Sequence, residues 1–143
     1  MTVLVFYRAY GQLLVKEPSG SYFVPATSGR GSCTNRRSCE SARDMGPIPA
    51  GRYYLYKSEI NDPNFLWDAI RNITIGDWGD WRVPLHSGNS TLTYGRDGFF
   101  LHGGMFEGSA GCIDIGGGWF GDTNTNRVLK SIRTSEVSEL WVA

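Results

Sequence analysis

The amino-acid sequence predicts a mainly β fold, sandwich or barrel-like, with two short helices. Three observations predict it. Apolar residues come in many short runs rich in β-branched and aromatic side chains, with 13% of the chain aromatic. Turn-forming residues separate these runs, 19 of the 143 residues being glycine. Only two stretches carry a helical period, and short strands at turn-rich spacing favour a mainly antiparallel arrangement.

The elements follow in order. Val3 to Tyr7, Gln12 to Lys16 and Tyr22 to Val24 read as an opening meander, with Ala9-Tyr10-Gly11 turning between the first two. From Ser28 to Asp44 the chain is Gly, Ser, Arg, Asn and Cys without periodicity, and is expected to be a surface loop. Pro47 and Pro49 fix backbone angles ahead of a strand over Arg52 to Tyr56. Asp62-Pro63 is a helix start, and Phe65, Leu66, Ala69 and Ile70 then share one face. Strands are expected over Trp81 to Leu85, Gly98 to His102 and Cys112 to Ile115. Asp122 or Thr123 caps a second helix that buries Val128, Leu129 and Ile132, and Val137 to Val142 closes as a strand.

A chain of this length, 41% hydrophobic, is expected to form one domain over residues 1–143 with its own core. Fourteen basic and fourteen acidic side chains cancel, which disfavours nucleic acid and anionic lipid as partners. No apolar run is long enough for a membrane-spanning helix. The opening Met1-Thr2-Val3-Leu4-Val5-Phe6 has no basic segment, long apolar run and small-residue cleavage site, so nothing in it directs ordinary export. Of three cysteines, Cys33 and Cys39 lie close together in the polar loop and either pair or remain thiols, while Cys112 stands apart.

The chemistry concentrates in Gly98-Phe99-Phe100-Leu101-His102-Gly103-Gly104 and Ser109-Ala110-Gly111-Cys112-Ile113-Asp114-Ile115. A thiol is a weak nucleophile until deprotonated, so a catalytic cysteine needs an imidazole and a partly exposed turn. His102 on a strand and Gly111 before Cys112 meet that need, and Gly103, Gly104 and Gly111 are candidate backbone supports for an oxyanion. From spacing alone a strand-end histidine and an inert buried cysteine fit equally well.

The sequence His102-Gly103, a short insertion, then Ser109-Ala110-Gly111-Cys112-Ile113, with nine residues separating His102 from Cys112, resembles the signature of the L,D-transpeptidase catalytic domain. It is most similar to a compact branch resembling the L,D-transpeptidase-like toxins of type VI secretion. That branch is similar also in Thr27-Ser28-Gly29, in Gly46-Pro47-Ile48-Pro49-Ala50-Gly51-Arg52-Tyr53 and in Arg96-Asp97-Gly98-Phe99, so the resemblance covers most of the chain. It implies an L,D-transpeptidase-type β fold, with Cys112 as nucleophile and His102 as base, acting on the L,D bond of peptidoglycan tetrapeptide stems. By its delivery route it further implies a monomeric antibacterial effector acting in a target periplasm, with the secretion apparatus and an immunity protein as partners.

Two positions depart from the broader pattern: Ala110 stands where a second histidine often precedes Gly-Cys, and Asp114 where an arginine is usual. Ser109 and the backbone would then support the oxyanion, and Arg96 or Arg82 would supply the carboxylate contact, with Tyr94 as a further candidate. Asp114, two residues from Cys112, would raise the thiol pKa, and a structural hydrogen bond is its expected part.

The same residues also bear on other chemistries. Gly116-Gly117-Gly118-Trp119-Phe120-Gly121 fits G-x-G-x-x-G, but too little chain follows for a doubly wound sheet, and a glycine loop near the site is expected instead. His86 has no nucleophile nearby in sequence and is expected to be a loop histidine. No Cys-x-x-Cys or His-x-x-x-His spacing occurs, so neither metal nor cofactor is expected. A cysteine amidase or endopeptidase remains open, although those enzymes usually place cysteine before histidine. So does a glycan-binding β domain using the five tryptophans.

Overall fold

In the first strand, β1 (Val3–Tyr7), alternate side chains turn inward, and Leu4 and Phe6 are fully buried. The computed structural model describes residues 1–61, 81–104, 111–117 and 123–143. Among them are β2 (Gln12–Glu17), β3 (Gly20–Pro25), β4 (Gly51–Tyr56), β5 (Arg82–Pro84), β6 (His86–Ser87), β7 (Phe100–Gly104), β8 (Ile113–Gly117), the helix α1 (Thr123–Ile132) and β9 (Val137–Val142). The helix expected from Asp62 lies outside the described residues, whereas the second expected helix is α1. Four single-turn 3-10 segments were not foreseen, two of them inside the polar loop.

The strands form two sheets, one of six strands in the order β3-β2-β1-β9-β4-β6 and one of three in the order β5-β7-β8. Both are mixed rather than antiparallel: β1 pairs with β9 in parallel, as does β7 with β8. The strand expected over Trp81 to Leu85 is β5 of the small sheet, and it ends at Pro84. Pro84 cannot donate to a ladder, and Leu85 N–H turns instead to Phe99 O at 2.8 Å. His86 and Ser87 then join β4 in the other sheet.

A continuous core lies between the elements, with Tyr53, Leu55, Trp81, Leu101, Ile113 and Leu140 among its buried members. The opening Thr123-Asn124-Thr125-Asn126 of α1 has poor intrinsic helix propensity. Burial of Val128, Leu129 and Ile132, worth about 1.5–3 kcal/mol each, outweighs that deficit. Trp81 Nε1 also donates to Thr125 O at 3.1 Å, and the Tyr22 hydroxyl hydrogen-bonds Ser131 Oγ at 2.6 Å.

Candidate active site

The small sheet turns Val83, Leu101, Ile113 and Ile115 into the core. Strand alternation therefore sends Arg82, His102 and Asp114 to the opposite face. The register places these three side by side, Arg82 opposite His102 and His102 opposite Asp114. Cys112 immediately precedes β8, and its thiol takes a hydrogen bond from the Phe100 main-chain N–H, two residues from His102 along β7. Parallel pairing of β7 with β8 thus places on neighbouring strands a histidine and the start of the segment that follows a cysteine ten positions away in sequence.

Burial raises the Cys112 thiol pKa above its ordinary value; the Phe100 amide opposes this, the Asp114 carboxylate adds to it, and Arg82 and Arg30 act against it. A thiol so placed is protonated near neutrality and needs a base. With Nδ1 protonated, His102 donates to Gly103 O at 3.1 Å, which leaves the Nε2 lone pair available to accept a proton. Asp114 Oδ1 lies 3.9 Å from Nδ1, too far for a hydrogen bond. Asp114 is itself held in place, because Oδ1 accepts the Gly116 N–H at 2.8 Å and its main chain pairs with Thr27.

Three separate glycine and proline segments meet beneath the cysteine. Gly111 N–H donates to Gly46 O at 3.1 Å, and the same carbonyl accepts Arg96 Nη2 at 2.9 Å. Ile48 N–H donates to Ser28 Oγ at 2.9 Å, so the Thr27-Ser28-Gly29 and Gly46-Pro47-Ile48 segments are fastened to each other. Gly111 has φ +75°, and a Cβ there would lie 2.8 Å from the Phe99 ring, so only glycine fits before Cys112.

Several expected site residues take other parts. Gly103 N–H donates to Trp81 O at 3.1 Å, and Gly111 N–H is held by Gly46 O, which removes both amides from the set of oxyanion donors. Arg96 is corrected from a carboxylate reader to a clamp on the loop: Nη1 donates to Glu40 O at 2.6 Å and Pro47 O at 2.8 Å, and the side chain is buried. Tyr94 gives its hydroxyl to Glu40 Oε1 at 2.9 Å on the outer side of that loop. Gly104 ends β7, whereas Ser109 and Ala110 lie outside the described residues, as do Gly118 to Gly121 of the glycine run. Cys33 and Cys39 form a disulfide within the loop. His86 stands on β6, its Nε2 2.7 Å from Glu59 Oε1.

Neither the Phe100 amide at the thiol nor Asp114 opposite His102 was legible in the sequence. The first is a main-chain group, and the second depends on a parallel register that spacing does not encode.

The fold is shared with two solved structures at low identity. Mycobacterium tuberculosis L,D-transpeptidase 1 superposes with a TM-score of 0.52 at 14% identity, over 99% of this chain and 62% of that one. Bdellovibrio bacteriovorus Bd1075 gives a TM-score of 0.57 at 16% identity, over 99% of this chain and 47% of that one. The chain therefore spans about three fifths and about half of these two structures. No curated protein matches it. The Tlde1 domain family model matches residues 23–137, a span that holds Thr27, Gly46, Arg96, His102 and Cys112 alike. The chain belongs to the Tlde1 domain family, the L,D-transpeptidase effectors of type VI secretion that its His-Cys motif resembles.

Proposed function

We propose that this protein is a cysteine acyltransferase acting on the L,D bond of peptidoglycan tetrapeptide stems. The observation that supports the proposal is the parallel pairing of β7, which carries His102, with β8, which Cys112 directly precedes, together with the contact of His102 Nδ1 with Gly103 O. His102 Nε2 accepts the thiol proton, and Cys112 Sγ attacks the carbonyl carbon of the third stem residue. The C–N bond to the terminal D-alanine breaks, and the proton held by His102 passes to the leaving amine. A thioester remains on Cys112, and its carbonyl is taken by water, by a D-amino acid or by the amine of another stem. These acceptors give trimming, exchange or a cross-link.

Family membership supports a secreted effector that spoils stems in a target cell wall, working as a monomer, delivered by the secretion apparatus and matched by an immunity protein. The direct test is incubation with a muropeptide tetrapeptide, with and without excess D-methionine, followed by mass spectrometry. Loss of D-alanine or its replacement by D-methionine is expected for the native protein and not for Cys112→Ala. Intact tetrapeptide together with cleavage of sacculi at another bond would replace this proposal with an amidase or endopeptidase.

A further inference from the structure

Of the arginines whose surroundings are described, Arg82 has the setting of an anion reader. Arg8 is paired with Glu40, Arg52 with Glu139, and Arg96 is wrapped by main-chain carbonyls. Arg82 is exposed and makes no ion pair among the described residues. Its guanidinium does not swing free, however. It lies over the Phe100 ring, 5.5 Å from the centroid, and Phe100 is the residue whose N–H meets the Cys112 thiol.

The row Arg82–His102–Asp114 runs from positive charge through the base to negative charge. An anionic group entering the site is therefore drawn to the β5 side of His102 and repelled from the β8 side. The leaving group of the proposed reaction is an α-amino acid, in which the carboxylate is two bonds from the amine that His102 must protonate. Neighbouring strands are about 4.8 Å apart, so a side chain on the next strand, directly opposite His102, stands where that carboxylate falls. A planar guanidinium can grip it with two hydrogen bonds.

We propose that Arg82 binds the free carboxylate of the terminal D-amino acid, and so restricts the enzyme to exposed stem ends and to free D-amino acids as exchange partners. This rests on the acyl-transfer function above. The charge of Arg82 also reaches the Cys112 thiolate directly, as does that of Arg30 from the polar loop.

The first measurement does not depend on peptidoglycan. With Cys33 and Cys39 joined, Cys112 is the free thiol, and its alkylation rates by iodoacetate and by iodoacetamide can be compared. Arg82→Gln is expected to lower the iodoacetate-to-iodoacetamide ratio about fivefold, and Arg82→Lys to retain most of it. A ratio unchanged in Arg82→Gln, or one that falls in Arg30→Gln instead, overturns the assignment. The second measurement compares a tetrapeptide ending in free D-alanine with its C-terminal amide. Native protein prefers the acid, and Arg82→Gln consumes the two at nearly equal rates; a preference that survives in Arg82→Gln overturns the assignment even though stems are cleaved. If the alkylation ratio falls as expected while native protein consumes neither peptide, the carboxylate site stands and the L,D-acyl-transfer function fails.

Discussion

Gly111 shows how much a single residue carries. Its N–H closes on Gly46 O, its φ is +75°, and the space where a Cβ would stand is filled by the Phe99 ring. Gly111→Ala is expected to destabilise the fold by about 1–3 kcal/mol and to lower stem turnover by roughly tenfold or more by displacing the thiol; thermal unfolding and the muropeptide assay measure the two effects. Asp114, 3.9 Å from His102 Nδ1, opposes the Cys112 thiolate by charge. In a His102→Gln background the thiol titrates alone, and burial keeps its ionisation above the ordinary thiol range. Adding Asp114→Asn removes a nearby negative charge and so moves that midpoint down. The rate of iodoacetamide alkylation against pH checks the sign, and an upward move would show that Asp114 does not act on the thiol by charge.

At the scale of elements, the polar loop before β4 was legible only as a gap between strands. Ser28 to Asp44 has no periodicity, because its order comes from contacts that period cannot reveal: the Cys33–Cys39 disulfide, two 3-10 turns and the carbonyls gathered by Arg96. For the same reason Arg96 looks from sequence like a substrate arginine. Arg96→Met is expected to cost about 3 kcal/mol and to lower the melting temperature by roughly 10 °C, while leaving the preference for a free stem carboxylate unchanged at temperatures where the protein stays folded. Loss of that preference without loss of stability would return Arg96 to the binding site. The strands fared better: short β-branched and aromatic runs bounded by turn residues marked β1, β4 and β9 within a residue or so. Such a run did not mark β6, whose two residues are too few to form one.

Across the whole molecule, Glu40 ties distant parts together. Its carboxylate accepts from buried Arg8 at 2.7 Å, from Ala50 N–H at 3.2 Å and from the Tyr94 hydroxyl at 2.9 Å, joining β1, the polar loop, the approach to β4 and the turn before β7. Burial alone would raise its pKa, but these donors hold it below the ordinary carboxylate value. The folded state therefore binds fewer protons here than the unfolded chain, and the stabilisation is present above the ordinary carboxylate pKa and lost as pH falls through the lowered one. Glu40→Gln is expected to be less stable than native protein at neutral pH and to lose less on acidification; denaturant midpoints at pH 7 and pH 3 test this. The motif residues His102 and Cys112 could be named from sequence, but the arrangement of the two sheets could not, since both depend on parallel pairs between strands that are not joined by a tight turn. The larger sheet makes this concrete. Its strand β9 lies between β1 and β4 and is the last of the nine described strands to leave the ribosome. Until residues 137–142 are synthesised, β1 and β4 each present an open edge, so the nascent chain can assemble the β1-β2-β3 meander early but cannot close its central sheet.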